Sequence, residues 1–202
     1  MNIKSIQSAR GFTLIELLVV ITIIGILAGL LFPAVTRALD AAMAAKARND
    51  VTQLVSAVKA YQLEYGRLPT TVVSSDDGQE AVQGWFQDNN DEIMRVLIGE
   101  NYNDLNARGI VFLEARQAKG SAGSFKDGLG TDKKYYDPWG TPYAIKMDTS
   151  YNNELEYYGK DYQNNVRTTV FAVSFGKNKK QQHPGKAMDD EGVKVDDIVS
   201  FR

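Results

Sequence analysis

Residues able to do chemistry are few in this chain, and the most conspicuous is an acid in apolar surroundings. Glu16 borders 20 consecutive residues, 17–36, that carry no charge. An ionised carboxylate there costs roughly a few kcal/mol at depth and less near an interface, so it calls for a partner. The chain has no Cys, which removes disulfides, thiolate zinc sites, iron–sulfur clusters and Cys nucleophiles together. Its single His, His183, leaves no Ser/His/Asp triad or multi-histidine metal site unless that residue serves it. Flanked by Gln182 and Pro184, His183 reads as an exposed loop residue. There is no phosphate-binding Gly loop, no spaced His pair and no nucleophile motif. A membrane-tethered enzyme or ligand-binding domain would need a pocket of convergent polar groups, and none is readable.

The elements that must position Glu16 follow from the distribution of charge. Over 202 residues, 23 Lys and Arg face 25 Asp and Glu, a balance that argues against gripping nucleic-acid phosphates. The 44% apolar content is concentrated at one end. As a helix, the uncharged run spans about 30 Å, the thickness of a bilayer's hydrocarbon core. Lys4 and Arg10 precede it with no acid, which keeps that end cytoplasmic and exports the remainder. A secretory signal peptide has a shorter apolar region and a small-x-small site soon after it. Here the nearest such site, Ala42-Met43-Ala44, would make the peptide unusually long. A plain single-pass anchor leaves Glu16 unexplained.

The string Gly11-Phe12-Thr13-Leu14-Ile15-Glu16, followed by Leu-Leu-Val-Val-Ile-Thr-Ile-Ile-Gly-Ile-Leu, resembles the cleavage and assembly signal of type IV pilins and type II secretion pseudopilins. The resemblance implies that a prepilin peptidase cuts between Gly11 and Phe12 and methylates the new amine of Phe12. It also implies that Glu16 pairs with the N-terminal amine of a neighbouring subunit as apolar helices bundle into a filament. A buried carboxylate matched to an ammonium is tolerable where a lone one is costly, so such a pair favours one axial register. Glu16 also stands one helical turn from its own Phe12 amine. Gly25 and Pro33 coincide with family positions at which the helix either unwinds on assembly or simply bends.

Beyond the membrane the periodicity stays helical and turns amphipathic: Leu39, Met43, Ala47, Val51, Leu54 or Val55, Val58, Tyr61 and Tyr65 recur every three or four residues. A helix over 12–65 would be about 80 Å long. Gly66 and Pro69 end it. Residues 72–134 are the least informative: 91–98 read as a short helix with acids in its first turn, 110–113 as a strand, 121–134 as a solvated loop, and Trp85-Phe86 as core. The string Asp137-Pro138-Trp139-Gly140-Thr141-Pro142-Tyr143 makes a tight turn and resembles the Asp-Pro-Trp-Gly-x-Pro-Tyr string of the major pseudopilins. Strands are expected at 143–147, 155–158 and 167–175, the last with Phe171, Val173 and Phe175 on the face that covers the helix stripe. The expected fold is therefore α+β and type IV pilin-like, a long N-terminal helix, transmembrane then amphipathic, packed on a small antiparallel sheet.

The expected organisation is a cleaved leader at 1–11, a transmembrane and assembly helix at 12–36, and an outer domain at 37–202, with a variable insert at 72–134 and a sheet and C-terminal loop at 135–202. Ser174-Phe175-Gly176 followed by an acid-rich stretch and Asp196-Asp197-Ile198 resembles the C-terminal loop of major pseudopilins. That resemblance implies calcium, with Asp197, Ser174 and Asp196 as first ligands and Asp189 and Asp190 next. Calcium takes six to eight oxygen ligands in adaptable geometry, and with no Cys to staple this end a metal would close the loop. Against this, Asn178 stands where the family commonly has an Asp, and Lys177, Lys179 and Lys180 repel a cation. The alternative is a solvated acidic tail.

The function the resemblance implies is structural rather than enzymatic: a subunit of the type II secretion pseudopilus, polymerised to move folded proteins across the outer membrane. Its implied partners are copies of itself, minor pseudopilins, the prepilin peptidase and an inner-membrane assembly platform with its ATPase, with no nucleic acid. The chain would sit in the inner membrane as a single-pass protein, N-terminus cytoplasmic before cleavage and bulk periplasmic. A type IV pilus subunit, for adhesion, motility or DNA uptake, is the alternative in the same assembly class.

Overall fold

Helix α1, Leu14–Tyr65, dominates the computed structural model, which describes residues 12–71, 85–86, 89–156, 165–180 and 196–200. The helix runs unbroken across Gly25 and Pro33. It ends as its sequence dictates: Gly66 takes φ +68°, and its N–H closes onto Gln62 O at 2.9 Å, the left-handed stop that glycine adopts without a Cβ penalty. Two compact units divide at Ala42/Met43.

In the first unit, Met1–Ala42, every described residue is exposed, apolar ones included. The second unit, Met43–Arg202, builds its core against α1. The stripe that packs is Ala47, Val51, Leu54, Ala57, Val58 and Tyr61, each 3% exposed or less. Leu39 and Met43, expected on the same stripe, are exposed. The spacing is right, but the apolar partners begin only at Ala44.

A four-stranded antiparallel sheet, in the order β1 (Trp85–Phe86), β4 (Ala144–Met147), β7 (Val170–Ser174), β8 (Ile198–Val199), covers this stripe. Two further antiparallel pairs, β2 (Gly128–Leu129) with β3 (Tyr135–Tyr136) and β5 (Leu155–Glu156) with β6 (Asn165–Val166), flank it. The alternation in β7 holds, but its orientation is the reverse of expectation. Val170 and Ala172 join Ile145 and Met147 in the cluster with α1, while Phe171, Val173 and Phe175 pack with Ala144 and Leu155 in a second apolar cluster. Cross-strand register agrees: Ile145 opposes Ala172 and Met147 opposes Val170, whereas Ala144 opposes Val173. Both faces of this strand are apolar, so period two fixed which residues share a face but not which face meets the helix.

The middle of the chain is woven into the core. Helix α2, Asn90–Leu97, buries Ile93, Met94, Val96 and Leu97, close to the expected 91–98. The Asn90 amide donates to Tyr135 O (3.1 Å) and Tyr143 O (2.9 Å) and accepts from Tyr135 N (3.1 Å), clamping α2 to β3 and to the residue that precedes β4. After a 3-10 turn at Tyr102–Asp104, the Asn106 side chain donates to Val96 O and Ile110 O and accepts from Ile110 N and the Tyr65 hydroxyl. The expected strand at 110–113 does not form. Phe112 N and Leu113 N both turn onto Leu97 O, so this segment follows α2 rather than a strand edge. Nor are 121–134 a solvated loop throughout, since Phe125, Asp127 and Leu129 are buried and β2 lies within them.

Candidate functional site

The start of α1 is organised by a reciprocal cap. Glu16 Oε2 accepts from Thr13 N at 2.9 Å and from Thr13 Oγ1 at 2.7 Å, while Glu16 N donates to Thr13 Oγ1 at 3.3 Å. This is a capping box, in which a Thr-x-x-Glu string satisfies two orphan donors of the helix end. The carboxylate is thereby folded back toward the N-terminus, onto Thr13 rather than Phe12. Gly11 lies outside the described residues. Around Glu16 the apolar side chains of Phe12, Ile15, Leu17 and Val19 are exposed. Among the described residues, α1 alone is long and apolar enough to cross a membrane. Gly25 and Pro33 sit within that stretch.

The two C-terminal motifs meet. Asp137, fully buried, accepts from Trp139 N (3.0 Å) and Thr141 N (2.8 Å) on Oδ1 and from the Ser174 hydroxyl (2.7 Å) on Oδ2. Burial pushes its carboxyl above the usual range, and the donors from Ser174, Thr141, Trp139 and Gly140 partly offset that rise. Ser174 ends β7, opposite Ile198 of β8, so the strand pairing brings Asp196 and Asp197 beside it. At Gly176, φ +66°, a Cβ would lie 2.5 Å from Asp196 O and 2.7 Å from its Cγ, so only glycine lets the loop seat on Asp196. Asp196 Oδ2 accepts from Lys177 N (2.8 Å) and Asn178 N (3.2 Å), and Asn178 Oδ1 accepts from Lys180 N. Asp197 is 7% exposed. Asp189, Asp190 and His183 lie outside the described residues. Among the described residues no three acids or histidines cluster as a metal site.

A partly buried ion cluster, unforeseen in the sequence, ties α1 to the middle segment. Asp50, fully buried on α1, pairs through both carboxylate oxygens with Arg116 (2.9 and 2.5 Å) and accepts from the Tyr143 hydroxyl (2.8 Å). Arg116 continues to Asp127 (2.8 Å), which also pairs with Lys46 at 2.6 Å. Burial raises the Asp127 carboxyl, but the Lys46 and Arg116 hydrogen bonds and charges outweigh it and hold it below the usual range. Burial, with the Asp50 charge, pushes the Tyr135 hydroxyl up to about 12 and that of Tyr143 higher still, so both stay protonated. The legible signal was Asp50 itself, an acid on the apolar stripe between Ala47 and Val51. Thr13 was legible too, as the first letter of Thr-x-x-Glu.

The family described as the prokaryotic N-terminal methylation motif matches residues 6–32. Curated relatives carry one name, type II secretion system core protein G. The protein from Klebsiella michiganensis is 48% identical over 65 residues, 32% of this chain and 46% of that relative. The one from Pseudomonas aeruginosa is 34% identical over 88 residues, 41% of this chain and 62% of the relative. The one from Aeromonas hydrophila is 29% identical over 135 residues, 67% and 71% of the two. The chain spans about half the length of the first curated relatives it matches, 46% and 40%. No solved structure matches it significantly. The N-terminal methylation motif at the start of a long helix, with that helix packed on small antiparallel sheets, is an α+β arrangement consistent with a type IV pilin-like fold. Its sequence is similar over these stretches to proteins named type II secretion system core protein G.

Proposed function

We propose that this chain is the building block of a type II secretion pseudopilus, cut between Gly11 and Phe12, methylated at Phe12 and polymerised through α1. The observation that carries this is the contrast along one helix: apolar side chains exposed all round in the first unit, and a single packed stripe in the second. Exposed apolar surface of that extent needs a partner; here it is served first by the inner membrane and then by the helices of other copies. The chain's contribution is structural. Glu16 pairs with the Phe12 amine of a neighbour, exchanging its Thr13 cap for an ion pair that sets axial register. The bulk stands in the periplasm, and assembly involves minor pseudopilins, a prepilin peptidase and an inner-membrane platform with its ATPase. Mass spectrometry of the protein from its native membrane tests this: the mature N-terminus is expected at methylated Phe12, and an intact Met1 or a start near Ala45 would sink the reading.

The same reading gives the C-terminal loop a calcium ion. What supports it is donor chemistry: Asp196 and Asp197 offer carboxylate oxygens of the kind a hard cation takes, next to the β7–β8 pairing that ends the loop. Asp189 and Asp190 are the acids that would complete it. Bound calcium would supply charge neutralisation and a cross-link for a chain end without disulfides. Melting of the full chain in detergent should rise with Ca2+ and fall with chelator, and an unchanged melting temperature would remove the ion.

A further inference from the structure

We infer that the second unit carries a glycan-binding cleft, in which Tyr151 stacks on an uncharged sugar and Asn103, Arg67 and Thr71 meet its hydroxyls. The cleft, about 340 Å3, opens where three segments meet: residues 67–71 after α1, the 3-10 turn at Tyr102–Asp104, and the turn that follows β4. Each wall is fixed from behind. Gly66 stops α1 at φ +68°, and Arg67 Nη2 donates to Asp104 O at 3.1 Å, which joins the first wall to the second. In the third, Asp148 is 1% exposed and accepts from the Ser150 hydroxyl (2.9 Å), Asn152 N (3.2 Å) and Asn153 N (2.6 Å). That carboxylate bends the chain around Tyr151. Neither assembly through α1 nor the calcium reading supplies a residue of this cleft, so the inference stands apart from both.

Two residues at the cleft are held in left-handed backbone, Asn103 at φ 51° and Tyr151 at φ 56°. Asparagine takes that conformation readily, whereas for a bulky side chain it is an outlier. Tyr151 is nonetheless 56% exposed, so packing does not account for its ring. Outliers of this kind concentrate at ligand clamps.

The lining selects the class of ligand. Arg67 is the one charged side chain among the described residues that line the cleft; the others offer hydroxyls, an amide and a phenol ring. A phosphate group or nucleic acid would call for more cations. Leu68 and Leu105, at 3% and 4% exposed, present little apolar area to a lipid. None of the lining residues lies in a strand, so an extended peptide finds no ladder to join. A sugar matches what remains: its C–H face stacks on the aromatic ring, and its hydroxyls donate to and accept from amide and threonine groups. The volume is near the lower end of small-molecule sites, about 300 Å3, which suits the end of a glycan rather than a long stretch of one.

The test is saturation-transfer NMR of the full chain in a zwitterionic detergent without sugar headgroups, titrated with chitotetraose and with maltotetraose. Chitotetraose carries acetamide groups and maltotetraose does not, so the pair separates N-acetylated from plain glycans. Saturation transfer to at least one of them is expected. Tyr151→Ala should weaken that binding about fivefold or more, whereas Tyr151→Phe keeps the ring and should stay within about twofold. Because Tyr151 is exposed, the melting temperature of Tyr151→Ala should match wild type, which separates a lost contact from a lost fold. Should that variant not fold, Asn103→Gly carries the test: glycine is at ease at positive φ, and loss of the amide should cost about threefold or more in affinity. Transfer to neither oligosaccharide, or wild-type affinity in Tyr151→Ala, would overturn the inference. Displacement of the sugar by equimolar inorganic phosphate would overturn it too, by making the cleft an anion site.

Discussion

An aspartate buried inside a helix packed on a sheet persists only if its charge is met. Asp50 is met twice, by Arg116 through both oxygens and by the Tyr143 hydroxyl. Breaking a buried pair on one side leaves the other charge uncompensated, at about 3–5 kcal/mol. Arg116→Leu is therefore expected to lower unfolding free energy by roughly 3 kcal/mol, because the partly exposed guanidinium and the remaining Tyr143 bond keep the loss at the lower end. Arg116→Leu with Asp50→Asn should cost less than the single change, since no charge is then stranded. Urea unfolding of the three variants decides this, and strict additivity would count against a coupled cluster. At the other end of α1, Glu16→Ala removes a cap and the proposed partner of a neighbour's amine, but no apolar surface. Membrane insertion should survive and filament yield should fall; wild-type yield would contradict the pairing.

Among elements, the helix and sheet were legible where a period repeated. The stripe from Ala47 to Tyr61 followed from its spacing, and the strand expected at 143–147 forms at Ala144–Met147. What spacing did not settle was the side of β7 that meets α1, because Val170 and Ala172 are as apolar as Phe171 and Val173. A strand buried on both faces carries no polar residues to mark its orientation. The consequence is specific: Phe171→Ala should cost about 3–5 kcal/mol through the second cluster with Ala144 and Leu155. The stripe of α1 should be undisturbed by that change, which tyrosine near-ultraviolet signals from Tyr61 can report. The segment 110–113 was misread for a different reason. Its apolar run suits a strand, but the Leu97 carbonyl at the end of α2 takes its N–H groups instead, and tertiary context of that sort leaves no trace in local sequence.

For the whole molecule, the apolar N-terminal helix was readable because its signals are local: a methylation-motif string, an acid and an uncharged run. The ties within the second unit were not, because they are distant. Lys46 meets Asp127 across 81 positions and Tyr143 meets Asp50 across 93. These ties also set its response to acid. Hydrogen bonds from Lys133 hold the Glu100 carboxyl low, as Lys46 and Arg116 hold that of Asp127. Carboxyls depressed in the folded state contribute stability above their unfolded values, about 3.9 for Asp and 4.3 for Glu, and lose it as pH falls through the folded ones. The melting temperature should therefore decline below about pH 4, with Asp137, whose carboxyl burial raises, taking its proton first and offsetting part of that loss. A decline already complete at pH 5 would contradict the ion ties.

The central claim is that copies of this chain polymerise through α1. Electron microscopy of filaments sheared from cells that produce it with its own secretion genes, with the N-terminus of the filament protein sequenced, tests that directly. The expected result is filaments built of this chain, each copy beginning at methylated Phe12, and absent when Glu16 is replaced by Ala. Recovery of the whole population as membrane-bound monomers beginning at Met1 would contradict it.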